Sequence, residues 1–166
     1  MDKQIAEQPS DNAFPNYSVA SVVPHTAPMI LIDHIICWDH TQLTSAVTIS
    51  SDAVFAEQSG VPAWVGIEYM AQTIAAFAGC KARSQQQPIK IGFLVGSRRY
   101  ESSHDYFPLG ATLEICTQEV IVGENGLSVF ECTLKGTGEQ AQIIATANIN
   151  VFQPEDPDAF LEGASA

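Results

Sequence analysis

Trp64-Val65-Gly66-Ile67-Glu68-Tyr69-Met70-Ala71-Gln72-Thr73-Ile74-Ala75-Ala76-Phe77-Ala78-Gly79-Cys80-Lys81-Ala82 runs without a proline. Within it Ile67, Met70, Ala71, Ile74, Phe77 and Ala78 recur at three- and four-residue intervals, the spacing that lines one side of a helix. Gly66 and Gly79 lie near the two ends, and the remaining positions are largely alanine. A helix that is apolar on nearly all sides belongs inside a fold rather than on its surface.

On either side of this helix the period changes to two. Upstream, Met29 to Ile36 is an apolar run interrupted by Asp33, and Leu43 to Ile49 alternates, with Leu43, Val47 and Ile49 opposed to Thr44 and Thr48. Downstream, Ile91 to Val95 is apolar on both faces, and Ala111 to Val122 sets Leu113, Ile115 and Ile121 against Glu114 and Gln118. Gly123-Glu124-Asn125-Gly126 is a strong turn, after which Leu127 to Lys135 and Ala141 to Phe152 read as further strands. The order predicts an α+β chain, a curved antiparallel sheet wrapped around one long central helix. Residues 1–16 read as a flexible polar lead-in and residues 17–152 as a single domain, with a short helical turn expected over Tyr17 to Val23. Residues 153–166 read as an acidic tail. One helix has few partners inside such a chain, so a dimer that also covers an open strand edge is expected.

Seven Lys and Arg oppose 19 Asp and Glu among 166 residues, a formal charge of -12, which argues against nucleic-acid binding. No stretch reaches the length of a membrane-spanning helix, and Met1-Asp2-Lys3-Gln4 lacks the pattern of a secretory signal, so a cytoplasmic location is expected. Cys37, Cys80, Cys116 and Cys132 are far apart and lack metal-site spacing; they read as free thiols. No metal is expected.

Glu68 is the one charged side chain between Glu57 and Lys81. An unpaired buried carboxylate is costly, so Glu68 must reach a cavity, pair with another group or hold its proton. Such an acid suits protonation of a leaving hydroxyl; the competing reading is a first-turn acid favoured by the helix dipole. Gln72 lies four residues on, along the same face, placed to orient Glu68 or to bind substrate. Tyr69 and Trp64 read as packing or cavity residues, with a substrate hydrogen bond as the alternative for Tyr69. Lys81, Arg83, Lys90, Arg98 and Arg99 are five of the seven basic residues, and residues 81–99 contain no acid. Lys81 and Arg83 suit a helix C-terminus, and the whole cluster would also attract an acidic partner or a phosphate.

Gly66-Ile67-Glu68-Tyr69-Met70-Ala71-Gln72 resembles the central-helix signature of hotdog-fold 3-hydroxyacyl-[acyl-carrier-protein] dehydratases. Val23-Pro24-His25-Thr26-Ala27-Pro28-Met29-Ile30-Leu31-Ile32-Asp33 resembles their upstream Pro-His-x-x-Pro segment, and Gly92-Phe93-Leu94-Val95-Gly96 with Phe107-Pro108-Leu109-Gly110 resembles the strand and turn that follow the helix. The likeness extends over residues 17–152 and is nearest to the branch associated with aryl-polyene and related clusters. It implies a hotdog fold and a dimer, homomeric or with a related dehydratase subunit, with two tunnels at its interface. It also implies an acyl carrier protein as partner. Its 4′-phosphopantetheine arm would bring in a 3-hydroxyacyl thioester, which loses water to become a trans-2-enoyl thioester. No cofactor bound by the protein itself is implied. The reaction needs a base at C2, an acid at the C3 hydroxyl and donors for the thioester oxygen, for which amides near Val65 and Gly66 are candidates.

The familiar members carry a catalytic histidine fourteen residues before the helix glutamate, where this chain has Val54, and residues 41–103 contain no histidine. His25 is the substitute candidate for catalysis, against a structural role that holds its segment; an imidazole, which both donates and accepts, suits either. The missing residue keeps open a non-catalytic carrier-binding or heterodimeric dehydratase partner, and an acyl-thioesterase is the further alternative that the same fold can support. Arg98 and Arg99, with Lys81 and Arg83, are the candidate contacts to carrier or phosphate.

Overall fold

The computed structural model describes residues 14–163. Six strands form one antiparallel sheet: β1 (His34–Trp38), β2 (Gln42–Thr48), β4 (Phe93–Ser102), β6 (Thr112–Val122), β7 (Leu127–Gly136) and β8 (Ile144–Phe152). Their order across the sheet is β1-β2-β6-β7-β8-β4. A short pair, β3 (Val61–Pro62) and β5 (Tyr106–Phe107), clips the chain just ahead of the helix. The helix α1 (Gly66–Ser84) follows a 3-10 turn over Ala63–Val65 and lies across β2, β6 and β7. This is the expected hotdog arrangement, one long helix against a curved, unclosed antiparallel sheet.

Period-two alternation places the core. Leu113 and Ile115 on β6, Phe130, Cys132 and Leu134 on β7, and Ala145, Ala147 and Ile149 on β8 are buried. They meet Met70, Ile74 and Phe77 of α1, with the Phe77 and Phe130 rings edge to face at 5.9 Å. Each large side chain withdrawn from water there contributes roughly 1.5–3 kcal/mol, which is what pins the helix to the sheet. Asn125-Gly126 makes the expected turn between β6 and β7, with Gly126 at φ 85° and the Gly123 amide bonded to the Leu127 carbonyl.

Four expectations are corrected. Met29 to Ile32 forms no strand; β1 begins at His34, because the backbone of Met29 and Leu31 bonds to a side chain of α1 instead of a neighbouring strand. Ile121 is 58% exposed rather than inward, because a bulge between Glu119 and Ile121 shifts the alternation by one position. Leu94 and Val95 are exposed on β4, an edge strand paired only with β8 among the described residues, and Ile91, expected in the same strand, lies exposed ahead of it. The helix is not buried all round either: Ala71, Ala75, Ala78 and Ala82 form a half-buried stripe along one side.

The expected lead-in lies for residues 1–13 outside the described residues. Phe14 packs edge to face on Trp38, and the Trp38 indole donates to the Pro15 carbonyl. The expected turn near Tyr17 is a 3-10 turn over Val19–Ser21. Beyond β8, a short helix α2 (Pro157–Gly163) sets Phe160 against Phe93 and Phe152. Among the described residues no helix is long and apolar enough to cross a membrane.

Gly79 is where the N-terminal turn docks on α1. A Cβ there would lie 1.8 Å from the Val22 carbonyl oxygen, a backbone atom with no freedom to swing aside. Gly79→Ala should therefore lower stability by about 2–3 kcal/mol, read as a lower urea midpoint. An unchanged midpoint would show that the turn is not seated on the helix as described.

Candidate active site

Glu68 sits in the first turn of α1, on the helix side that also carries the alanine stripe. His25 comes from the upstream loop, between Pro24 and Thr26. The fold brings them together: His25 Nε2 lies 3.9 Å from Glu68 Oε1, with the side chains 31% and 39% exposed. That exposure settles the question of an uncompensated buried charge, because the carboxylate reaches a cavity and is not sealed in the core. The cavity has a volume of about 400 Å³, and both side chains line it. The His25 Nδ1 atom is buried without a hydrogen-bond partner among the described residues.

Gln72 holds this pair in place. It is fully buried, and its amide is satisfied in three directions. Its Oε1 accepts from the Leu31 amide at 2.8 Å, while Nε2 donates to the Met29 carbonyl at 2.7 Å and to Glu68 Oε1 at 3.0 Å. The side chain thus replaces a strand neighbour for residues 29–31, locks their loop to the helix and aims the carboxylate. With His25 only four residues before Met29, the same lock brings the imidazole to the cavity.

The other expected residues fall into different surroundings. Tyr69 is buried on the core side of α1 near Phe107, away from the cavity lining. Burial, with Asp33 adding to it, pushes its phenol up to about 12. Val65 and Gly66 are buried at the helix start, and the Gly66 amide is already engaged with the Ala63 carbonyl. Gly66 is glycine because the Tyr100 hydroxyl lies where a Cβ would stand, 2.4 Å away, and that hydroxyl donates to the Ala63 carbonyl. Burial pushes the Tyr100 phenol up to about 12 as well.

Among the basic residues, Lys81 pairs with Glu119 at 3.1 Å and lies 4.8 Å over the Phe77 ring. Arg83 donates to the Ser21 carbonyl at 3.1 Å and covers Tyr17, fastening the N-terminal turn. Arg98 and Arg99 are exposed on β4 and make no ion pair among the described residues. Arg99 has φ 56°, at a bulge between Arg98 and Glu101 that re-aims this part of the strand. Glu119 is the cavity residue that sequence reasoning missed. The alternation Leu113, Ile115, Thr117, Glu119 carries it onto the inner face of β6, and that signal was present in the chain.

The family model described as ApeP-like, ApeP dehydratase, matches residues 17–162, and the chain belongs to this dehydratase family. The dehydratase heterocomplex ApeI:P from Xenorhabdus doucetiae contains a chain 25% identical to this one. The two superpose with a TM-score of 0.82 over 92% of this chain and 100% of that one. A hypothetical thioesterase with coenzyme A from Streptococcus pneumoniae TIGR4 shares the fold at 10% identity and a TM-score of 0.56, over 72% of this chain and 84% of that one. The PaaI protein from the phenylacetic acid degradation operon of E. coli does so at 14% and 0.55, over 71% and 80%. No curated protein matches in sequence.

Two outcomes follow from this packing. Gln72→Leu strands the Leu31 amide and the Met29 carbonyl and should cost roughly 2–5 kcal/mol in urea denaturation, since each stranded buried group costs about 1–3 kcal/mol. For Tyr69 and Tyr100 the folded value lies above the ordinary 10.0, so their contribution is complete below pH 10 and is lost as pH rises towards 12. Denaturant midpoints measured across that window should fall, and Tyr100→Phe should fall less steeply than the unmodified chain.

Proposed function

We propose that this ApeP-like dehydratase removes water from a 3-hydroxyacyl thioester to give the trans-2-enoyl thioester, with His25 as base and Glu68 as acid. The observation that carries the reading is the 3.9 Å approach of these two side chains on the wall of one cavity. His25 Nε2 takes the proton from C2, which the thioester carbonyl acidifies. The C2 electron pair forms the double bond as the C3–oxygen bond breaks, and the departing hydroxyl leaves as water with the proton from Glu68. Imidazolium and carboxylate then face one another, and return of the proton restores both groups. Gln72 keeps Glu68 on the cavity side throughout, as a positioning residue.

The substrate would arrive on the 4′-phosphopantetheine arm of an acyl carrier protein. Carrier proteins of this kind are acidic, and Arg98 and Arg99 offer exposed positive charge, without an ion pair among the described residues, in a chain of net -12. The acyl chain beyond C3 would lie along the alanine stripe, where small side chains leave room. The similar ApeI:P structure is a heterocomplex, and a related dehydratase subunit is the partner we propose here. The edge of β4, unpaired among the described residues and with Leu94 and Val95 exposed, is the surface that such a subunit would cover.

The test is mass spectrometry of a matched hydroxyacyl and enoyl carrier-protein pair, with the dehydratase partner present. The unmodified chain should interconvert the two. Glu68→Gln and His25→Ala should each lose about 10²-fold or more, with the complex intact. Arg98→Glu with Arg99→Glu should raise KM in a salt-dependent manner and spare kcat. Unchanged turnover in both Glu68→Gln and His25→Ala would leave this chain a non-catalytic partner, and release of free thiol would make it a thioesterase.

A further inference from the structure

The strand at the open edge of the sheet also reaches the start of the helix. On β4, Arg98 stands opposite Asn148 and Glu101 opposite Thr146, so Arg99 and Tyr100 together face the single residue Ala147 of β8. Strict alternation from the exposed Arg98 would turn Arg99 towards the helix and Tyr100 towards solvent. The extra residue of the bulge reverses this. Arg99 is exposed, and Tyr100 is half-buried and aimed inwards, where its hydroxyl donates to the Ala63 carbonyl. Burial pushes the phenol up to about 12, which keeps the donor protonated.

Ala63 is the joint that this contact closes. Its amide donates to the Asp105 carbonyl at 2.8 Å, so both of its backbone groups are held from outside the helix. Neither the 3-10 turn over Ala63–Val65 nor α1 has a side-chain cap. The end of the helix is therefore fixed by these two contacts and by the β3–β5 pair just ahead of it. Glu68 lies five residues beyond Ala63, and helical side chains lean back over the preceding turn. The turn that Tyr100 holds is thus the one beneath the carboxylate. Gly66 leaves the space that the hydroxyl fills; a Cβ there would meet the hydroxyl first and the Phe107 ring next, at 3.3 Å. Tyr100 itself lies outside the cavity lining.

Resting on the dehydratase reading above, we propose that Tyr100 is a positioning residue of the elimination: through the Ala63 carbonyl it sets the turn beneath Glu68 and so the direction in which the acid meets the C3 oxygen. It acts without touching substrate. A misplacement of about 1 Å at a reacting group costs on the order of 10²-fold in rate. Loss of the hydroxyl leaves the Ala63 carbonyl its second donor, the Gly66 amide, so the turn loosens but persists.

The experiment measures turnover of the matched hydroxyacyl and enoyl carrier-protein pair by the full chain with its dehydratase partner. Tyr100→Phe keeps the ring and removes only the hydroxyl. It should lower kcat about tenfold and leave KM unchanged. In a Glu68→Gln background the same change should alter the residual rate by less than about twofold, because no acid remains to be aimed. A loss of folded protein scales both backgrounds alike, so an equal loss in the two overturns the inference. An unchanged kcat in Tyr100→Phe overturns it as well. Gly66→Ala reads the same joint independently. Its Cβ displaces the hydroxyl and should lower kcat in the unmodified chain, yet add less than about twofold in the Tyr100→Phe background. Losses that multiply in that double variant overturn the inference. No turnover by the unmodified protein would instead overturn the dehydratase reading itself, and this inference with it.

Discussion

One buried amide organises the site. Gln72 sits in the core with no exposure, and a polar group in that position is tolerated because every bond it needs is made. Two of those bonds are to backbone groups of Met29 and Leu31 that would otherwise be stranded beside α1, and the third is to Glu68. The upstream loop, the helix and the acid are therefore one mechanical unit. His25 reaches Glu68 because its loop is fixed a few residues further on, so the same interaction that completes the core assembles the pair.

The sheet supplies the rest by geometry. Its curvature keeps α1 against β2, β6 and β7, and leaves the alanine side of the helix facing a space that β4 does not fill. Small residues there are consistent with a channel, because larger ones would close it. The chain thus divides its helix by function. Met70, Ile74 and Phe77 anchor it to the sheet, while Glu68, Ala71, Ala75 and Ala78 border the cavity. Tyr100 and the Ala63 carbonyl hold the start of that helix from the side of β4.

Much of this was legible in the sequence. The three- and four-residue spacing located α1 to within two residues at either end, and the two-residue alternation found β2, β6, β7 and β8, because both patterns follow from which side faces the core. Glu68 and Gln72 stood out as polar residues in an apolar helix. Less visible was anything set by parity or by contacts distant in sequence. A bulge near Glu119 reversed the side on which Ile121 was expected, and one inserted residue of that kind leaves no compositional mark. Met29 to Ile32 looks like a strand because it is apolar, yet its partner is a glutamine side chain 41 and 43 residues away. The proximity of His25 to Glu68 belongs to the same class. At 43 positions apart, local pattern bears on neither, and only the closed fold makes them neighbours.

The two halves of β4 are unlike. Towards its start Leu94 and Val95 offer a greasy ladder, whereas further on the bulge at Arg99 twists the backbone and two arginines stand guard. An incoming strand can zip on along the first half and is turned away by the second. Like charge at the arginines consequently discourages this edge from stacking on copies of itself into fibres.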